Sequence, residues 1–228
     1  MKLPRALHRW NVTPKRAIEL QRVLAARVRI TPLGSRPGLA AGADVAFTPD
    51  GARCIAGVVV WDVRGRAVVE TTLATRRATF PYVPGLLSFR EAPAVLAAVR
   101  KVRCAPEVFV FDGQGLAHPR RFGLASHVGV LMDRPSVGCA KSLLCGEYVE
   151  PGARRGAKRV LIHKDEPVGV VLRTRDGVKP VFVSVGHRVT VDDAVRVVLA
   201  CGGGYRLPEP TRLAHQLVTR ARKEFADG

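Results

Sequence analysis

Four consecutive apolar residues, Val108-Phe109-Val110-Phe111, run directly into Asp112-Gly113-Gln114-Gly115. A short continuous apolar run bounded by glycine reads as a strand buried in a core. Such a strand holds Asp112 firmly at its tip, facing a crevice. Two other segments have a related construction. Gly42 to Phe47 reads as a strand with Val45 and Phe47 on one face and Asp44 and Ala46 on the other. Val137-Gly138-Cys139-Ala140 is strand-like and ends on a polar residue, Lys141. Pairing of adjacent strands can bring Asp44 and Asp112 together.

The remaining segments arrange themselves around these strands. Thr13 suits an N-cap and Pro14 the first turn of a helix over Lys15 to Val28, with Leu20, Val23, Leu24 and Val28 as its apolar stripe. The Pro/Gly-rich stretch Thr31 to Leu39 is a linker. Strands are expected over Gly42 to Phe47, Cys54 to Asp62 and Ala67 to Thr75, the last two joined by a hairpin turn at Val63 to Arg66. Ser88 suits the cap of a helix through Val102, with Leu96, Val99 and Val102 inward. Leu124 to Met132 is helical, and a strand follows near Ser136 to Ala140. Arg154 to Lys158 is a basic loop. Val160 to His163, Val168 to Thr174 and Pro180 to Val183 read as strands. Thr190 to Ala200 and Glu209 to Phe225 read as helices, parted by Gly202-Gly203-Gly204. Antiparallel strands followed by helix-separated strands predict an α/β fold, a mixed sheet flanked by helices. The expected organisation is one domain over residues 1–228, with 13–225 as its ordered core.

Composition narrows the partners. The chain has 228 residues, 47% hydrophobic, enough for a real core. Lys plus Arg number 37 against 19 Asp plus Glu, a formal charge of +18 that points to a polyanion. Arg76-Arg77, Arg120-Arg121 and the run Arg154 to Arg159 flank the segments of interest, placed to neutralise phosphates. Five cysteines, an odd number with no Cys-x-x-Cys pair, argue against a disulfide framework and a zinc site. They fit reduced thiols in a cytoplasmic protein. No apolar run has the length of a membrane span or of a signal peptide core.

Pro81-Tyr82-Val83-Pro84-Gly85 places an aromatic between two prolines, followed by Glu91. The prolines stiffen the segment and set Tyr82 on a rigid loop tip. A stiff aromatic beside an acid suits a wedge that opens stacked bases near a metal. Taken alone, the run reads equally as a hydrophobic turn before a helix.

Seven motifs in order then carry a family likeness: Gly42–Phe47, Pro81–Glu91, Asp112–Gly115, His118–Gly123, Gly138–Ser142, Lys179–His187 and Tyr205–His215. Across Thr13 to Phe225 the chain resembles the endonuclease V family, repair nucleases that act at deaminated adenine. Cys139 departs from the aliphatic residue expected there, which bears on packing and not on chemistry. The resemblance implies a ribonuclease H-like fold. It also implies a Mg2+-dependent endonuclease, with Mn2+ as a substitute, that recognises deoxyinosine in DNA. Such an enzyme nicks the second phosphodiester bond on the 3′ side, leaving 3′-hydroxyl and 5′-phosphate ends.

The same likeness implies site roles. Asp44, Glu91 and Asp112 are the metal-binding acids; alone, each reads equally as a solvated or capping carboxylate. Lys141 pairs with the scissile phosphate or tunes the attacking water; alone, it reads equally as an ordinary strand-end lysine. His215, at the edge of the stripe Ala214, Val218, Ala221 and Phe225, is metal-proximal or a general acid–base. Pro81, Tyr82, Val83 and Pro84 form the DNA wedge. Gly85, Leu87, Gly113 and Gly138 form the base pocket, where absent side chains let backbone groups approach a flipped base; alone, each glycine reads rather as turn geometry. Arg90, His118, Arg120 and Arg121 contact phosphates, with bracing of Asp112 as the alternative for His118. His127 and His187 satisfy hydrogen bonds inside the fold. The expected partner is deoxyinosine-containing DNA, with RNA or single-stranded DNA open, bound by a monomer. Two rivals stand beside this reading: an inosine-specific endoribonuclease, and a non-cleaving inosine-binding module.

Overall fold

The computed structural model describes residues 1–225. Helix α1 (Pro14–Ala25) is capped by the Thr13 hydroxyl, which accepts from the Arg16 N–H at 3.3 Å. Strands β1 (Leu39–Phe47), β2 (Arg53–Asp62) and β3 (Ala67–Arg77) follow as an antiparallel meander. Helix α2 (Leu87–Lys101) then crosses to β4 (Val108–Phe111), parallel to β1. Helix α3 (Leu124–Met132) crosses to β5 (Ser136–Ala140), parallel to β4. Antiparallel strands β6 (Lys158–His163), β7 (Glu166–Leu172) and β8 (Val181–His187) extend the sheet, and α4 (Val191–Ala200) and α5 (Glu209–Glu224) follow. The eight strands lie in the order β3-β2-β1-β4-β5-β8-β7-β6. Parallel neighbours need crossovers, and α2 and α3 supply them.

The alternation of strand side chains explains the two layers. Ala41, Ala43, Phe109 and Phe111 pack with Val95 and Val99 of α2 and Val128 of α3. Ala40, Val108, Val110 and Val137 face the other way, toward Val195 and Val198 of α4. All four residues of β4 are fully buried. Burying each of its phenylalanines contributes about 1.5–3 kcal/mol. Helix α5 lies on β1 and β2. It comes so close that a Cβ on Gly42 would stand 2.1 Å from the Pro210 backbone carbonyl carbon.

Several expectations need correction. Helix α1 stops at Ala25, short of Val28, and its buried stripe is Ala17, Gln21 and Leu24. Val23 is 65% exposed, whereas Gln21 is 1% exposed because its amide finds buried partners. Ser88 does not cap α2. Leu86 occupies the cap position without a side-chain bond, and Ser88 turns inward to His127. Strand β8 runs on to His187, past Val183. Residues 1–12 lie outside the expected core yet pack on it, with the Met1 amine donating to the Arg100 carbonyl at 2.9 Å. The five cysteines are free thiols. Among the described residues no helix is long and apolar enough to cross a membrane.

Candidate active site

Ala43 and Phe111 are opposite each other on the parallel pair β1 and β4. The residues after them, Asp44 within β1 and Asp112 just past the end of β4, therefore stand side by side. Glu91 comes from the second turn of α2, in the layer above. The three carboxylates line one cavity of about 160 Å3 with Val45, Phe47, Val95, Phe111 and Leu124.

Their charges oppose one another. Burial pushes the Glu91 carboxyl up to about 7, the Asp44 and Asp112 charges add to the rise, and Arg90 counters it. Burial and then the Asp112 charge also push Asp44 up, against a hydrogen bond from His215. Two basic groups complete the cluster. His215 Nδ1 lies 2.7 Å from Asp44 Oδ2, and Lys141 Nζ lies 2.5 Å from Asp112 Oδ2.

The placement of His215 follows from matched repeats. Thr211 and His215 are four residues apart on α5, about 6 Å along a helix. Gly42 and Asp44 are two apart on β1, about 6.8 Å along a strand. The bare backbone of Gly42 lets α5 settle at Pro210 and Thr211. One helical turn later His215 meets Asp44.

Hard carboxylate oxygens in one cavity fit a hard divalent cation, which would offset both the burial of the Glu91 charge and its repulsion by Asp44 and Asp112. Among the described residues no three His, Cys, Asp or Glu side chains close into a ready-made cage.

A second cavity, of about 310 Å3, opens beside the first and shares Glu91, Asp112 and Leu124 with it. Its size is at the lower end of the ~300–1,000 Å3 typical of small-molecule clefts. Gly85, Leu87 and Gly113 line it, as does Lys141. Gly138 does not. It lies beneath, where a Cβ would stand 2.5 Å from the Gly115 nitrogen and 2.7 Å from the Gly113 carbonyl oxygen. Its role in this arrangement is to let the 113–115 segment rest on β5.

Gly85 has φ +76°, a conformation that favours glycine. Its carbonyl accepts from Gln21 Nε2 at 2.9 Å, His118 Nε2 at 3.0 Å and Arg120 Nη2 at 2.7 Å. Arg120 Nε also donates to Gln21 Oε1 at 2.5 Å. Three donors on one carbonyl clamp the loop that carries Tyr82. His118 thus braces Gly85 rather than Asp112. Burial and Arg120 push its imidazole down to about 4, so the ring is neutral near pH 7. Gln21 escaped the sequence reading, since a glutamine on a helix face carries no local signal for a partner 64 residues away.

Tyr82 is 71% exposed at the loop tip, while Val83 packs against the cluster of Phe80, Leu86 and Phe89. Pro81 and Pro84 flank it on the surface. The other expected phosphate contacts are engaged elsewhere. Arg90 donates to the Phe80 carbonyl at 2.6 Å and the Gly51 carbonyl at 3.0 Å and lies over the Phe47 ring. Arg121 pairs with Glu166 at 2.8 Å and donates to the His163 carbonyl at 2.7 Å. Both side chains brace loops around the site. His127 and His187 are buried and hydrogen-bonded, as expected.

The sequence model of one family, Endonuclease V, matches residues 22–216. The chain is 49% identical over 219 residues to the endonuclease V of Methanothrix thermoacetophila, covering 96% of each chain. The crystal structure of the Streptomyces avermitilis endonuclease V superimposes with a TM-score of 0.90 at 47% identity, over 94% of this chain and 95% of that one. The fold is shared with the Ciona intestinalis endonuclease V at 24% identity and a TM-score of 0.79, over 93% and 99% of the two chains. That protein was crystallised with a 23mer DNA containing an inosine followed by a ribo-adenosine.

Proposed function

The chain belongs to the endonuclease V family of nucleases, and from that premise we propose a Mg2+-dependent endonuclease that recognises deoxyinosine in DNA. It nicks the second phosphodiester bond on the 3′ side of the lesion, leaving 3′-hydroxyl and 5′-phosphate ends, and it acts as a monomer in the cytoplasm. One observation carries the reading: the cavity lined by Gly85, Leu87 and Gly113 shares Glu91 and Asp112 with the carboxylate cavity. A base held in the first fixes the strand, and a phosphate further along it meets the second. The separation between the two selects one bond.

Asp44, Glu91 and Asp112 are the groups that would hold the cation. When bound, a divalent cation supplies an acidified water and neutralises charge on the phosphate. The Asp44 carboxylate accepts from His215, so the His215 Nδ1 carries the proton and its Nε2 is free to take one. That orientation suits a general base or acid at the reacting water. Lys141 has one N–H committed to Asp112 and others available to a phosphate oxygen. Tyr82, exposed on its clamped loop, fills the gap left by an extruded base.

The Ciona complex makes inosine-containing nucleic acid the first probe. An end-labelled duplex with a single deoxyinosine is incubated with Mg2+, with Mn2+, and with chelator. The expected product is one nick at the second 3′ bond in either metal and none in chelator. An abasic site would replace this mechanism with glycosylase chemistry. Scattered cuts would mean that the pocket does not set the register. The matching inosine RNA, run alongside, decides between deoxyribonuclease and ribonuclease.

A further inference from the structure

The N-terminal segment carries a histidine that the chemistry above leaves unused. His8 packs against Trp10 and His127, with ring centroids 4.5 and 5.0 Å away. Its Nδ1 lies 2.9 Å from the Arg9 carbonyl oxygen, and its Nε2 lies 2.8 Å from His127 Nε2. His127 Nδ1 in turn lies 2.9 Å from Ser88 Oγ. The chain therefore runs from the N-terminal segment through the fully buried ring of His127 on α3 to the first turn of α2.

The hydrogen-bond network fixes the direction of every bond. A carbonyl oxygen only accepts, so His8 Nδ1 carries a proton. A neutral ring has one proton, so His8 Nε2 is an acceptor. His127 Nε2 must then donate, its Nδ1 accepts, and the Ser88 hydroxyl is the donor at the far end. Both rings are neutral: burial lowers the pKa of each. The charged residues lining the cleft beside His8 are Arg76, Arg77 and Arg100, with no carboxylate among them to favour a proton on its ring.

We propose that His8 is a positioning residue for the base pocket. Acting through His127, it holds the Ser88 hydroxyl in one orientation and fixes the first turn of α2. Ser88 and Leu87 line the pocket, and Glu91 follows within a turn on the same helix. The inference rests on the substrate reading above for what the pocket binds. Removing the acceptor on His8 leaves His127 either with an unpaired buried N–H or in the other tautomer, which reverses its bond to Ser88. Either way the Ser88 hydroxyl loses its fixed orientation at the first turn of α2, although His8 lines neither cavity.

The test compares His8→Leu with His8→Gln in the full-length protein. Leu removes the acceptor, whereas the Gln amide oxygen can accept from His127 Nε2. The readout is the ratio of affinity for a deoxyinosine duplex to affinity for the undamaged duplex, well below the melting temperature. His8→Leu should lower this ratio about fivefold to tenfold, and His8→Gln should restore it to within about twofold of the parent. A loss of packing alone would move the melting temperature and leave the ratio unchanged. An unchanged ratio in His8→Leu overturns the proposal, as does a His8→Gln variant as poor as His8→Leu. Nitrogen-15 shifts of the histidine-labelled protein, read without nucleic acid, should show His8 protonated on Nδ1 and His127 on Nε2; the opposite assignment also overturns it. If the parent shows no preference for deoxyinosine, the substrate reading falls, while the two tautomers still decide whether the relay exists.

Discussion

Replacing Glu91 by Gln should abolish nicking and, in chelator, make the protein more stable at pH 8. Glu91 shares its cavity with Asp44 and Asp112, and its carboxyl is pushed up from an ordinary 4.5 to about 7. The sign follows from comparing the folded and unfolded chains. Below about pH 4.5 the group is protonated in both states and affects nothing. Between about 4.5 and 7 the unfolded chain ionises and the folded one resists, so folding is progressively disfavoured. Above about 7 the folded protein carries the charge at full cost. At about 1.4 kcal/mol per decade, the displacement corresponds to about 3 kcal/mol. Glu91 is only partly buried and water screens some of this, so about 1–2 kcal/mol is the expected gain from Gln. Urea unfolding of both proteins in chelator at pH 4.5, 6 and 8 measures it. The two should be nearly equal at the lowest pH and diverge as pH rises. Mg2+ should close the gap by stabilising the parent selectively. A difference that stays constant with pH would refute the claim that the three carboxylates repel one another in this cavity.

Asp112→Asn should lower the nicking rate about a thousandfold or more while lesion binding survives, because the amide keeps volume and removes the charge that holds a cation; near-normal turnover in saturating Mg2+ would discard the metal site. Tyr82→Ala should cost about tenfold to a hundredfold in lesion affinity, from a stacking contribution of roughly 1–3 kcal/mol per base. Binding isotherms equal to the parent's would reduce Tyr82 to a turn residue. Affinity for undamaged DNA should fall steeply with salt, with a log–log slope of about −4.5 if about five phosphates are neutralised. A flat plot would mean that the excess positive charge is not a DNA footprint.

The elements that carry the acids were legible because each signal is local. Val108–Phe111 is apolar throughout and is buried on both faces, and Asp44 alternates with Val45 as a strand should. Their adjacency followed from topology: one crossover helix leaves β4 parallel to β1. What escaped notice depends on contacts between distant positions. Gln21 reads as one more polar residue on a helix, yet it is buried because the Gly85 and Phe122 carbonyls need its amide. Ser88 is the residue type that caps helices, but α2 has already begun before it, and His127 offers it a buried acceptor 39 residues away. Arg90 and Arg121 lie in the right motifs for phosphate contacts, and their guanidinium groups are drawn instead to carbonyls and a carboxylate. Charge tells that an arginine seeks an acceptor, without telling which one.

The docking of α5 at Gly42 has a consequence for biosynthesis. Asp44 lies in β1, and its partner His215 lies 171 residues later. Contacts of such separation form late, after the cost of closing the intervening loop has been met. A nascent chain can fold the meander of β1 to β3 and display Asp44, but it lacks His215 until α5 has been made. The Asp44–His215 pair thus depends on a glycine two residues away, where a bare backbone lets α5 seat against β1.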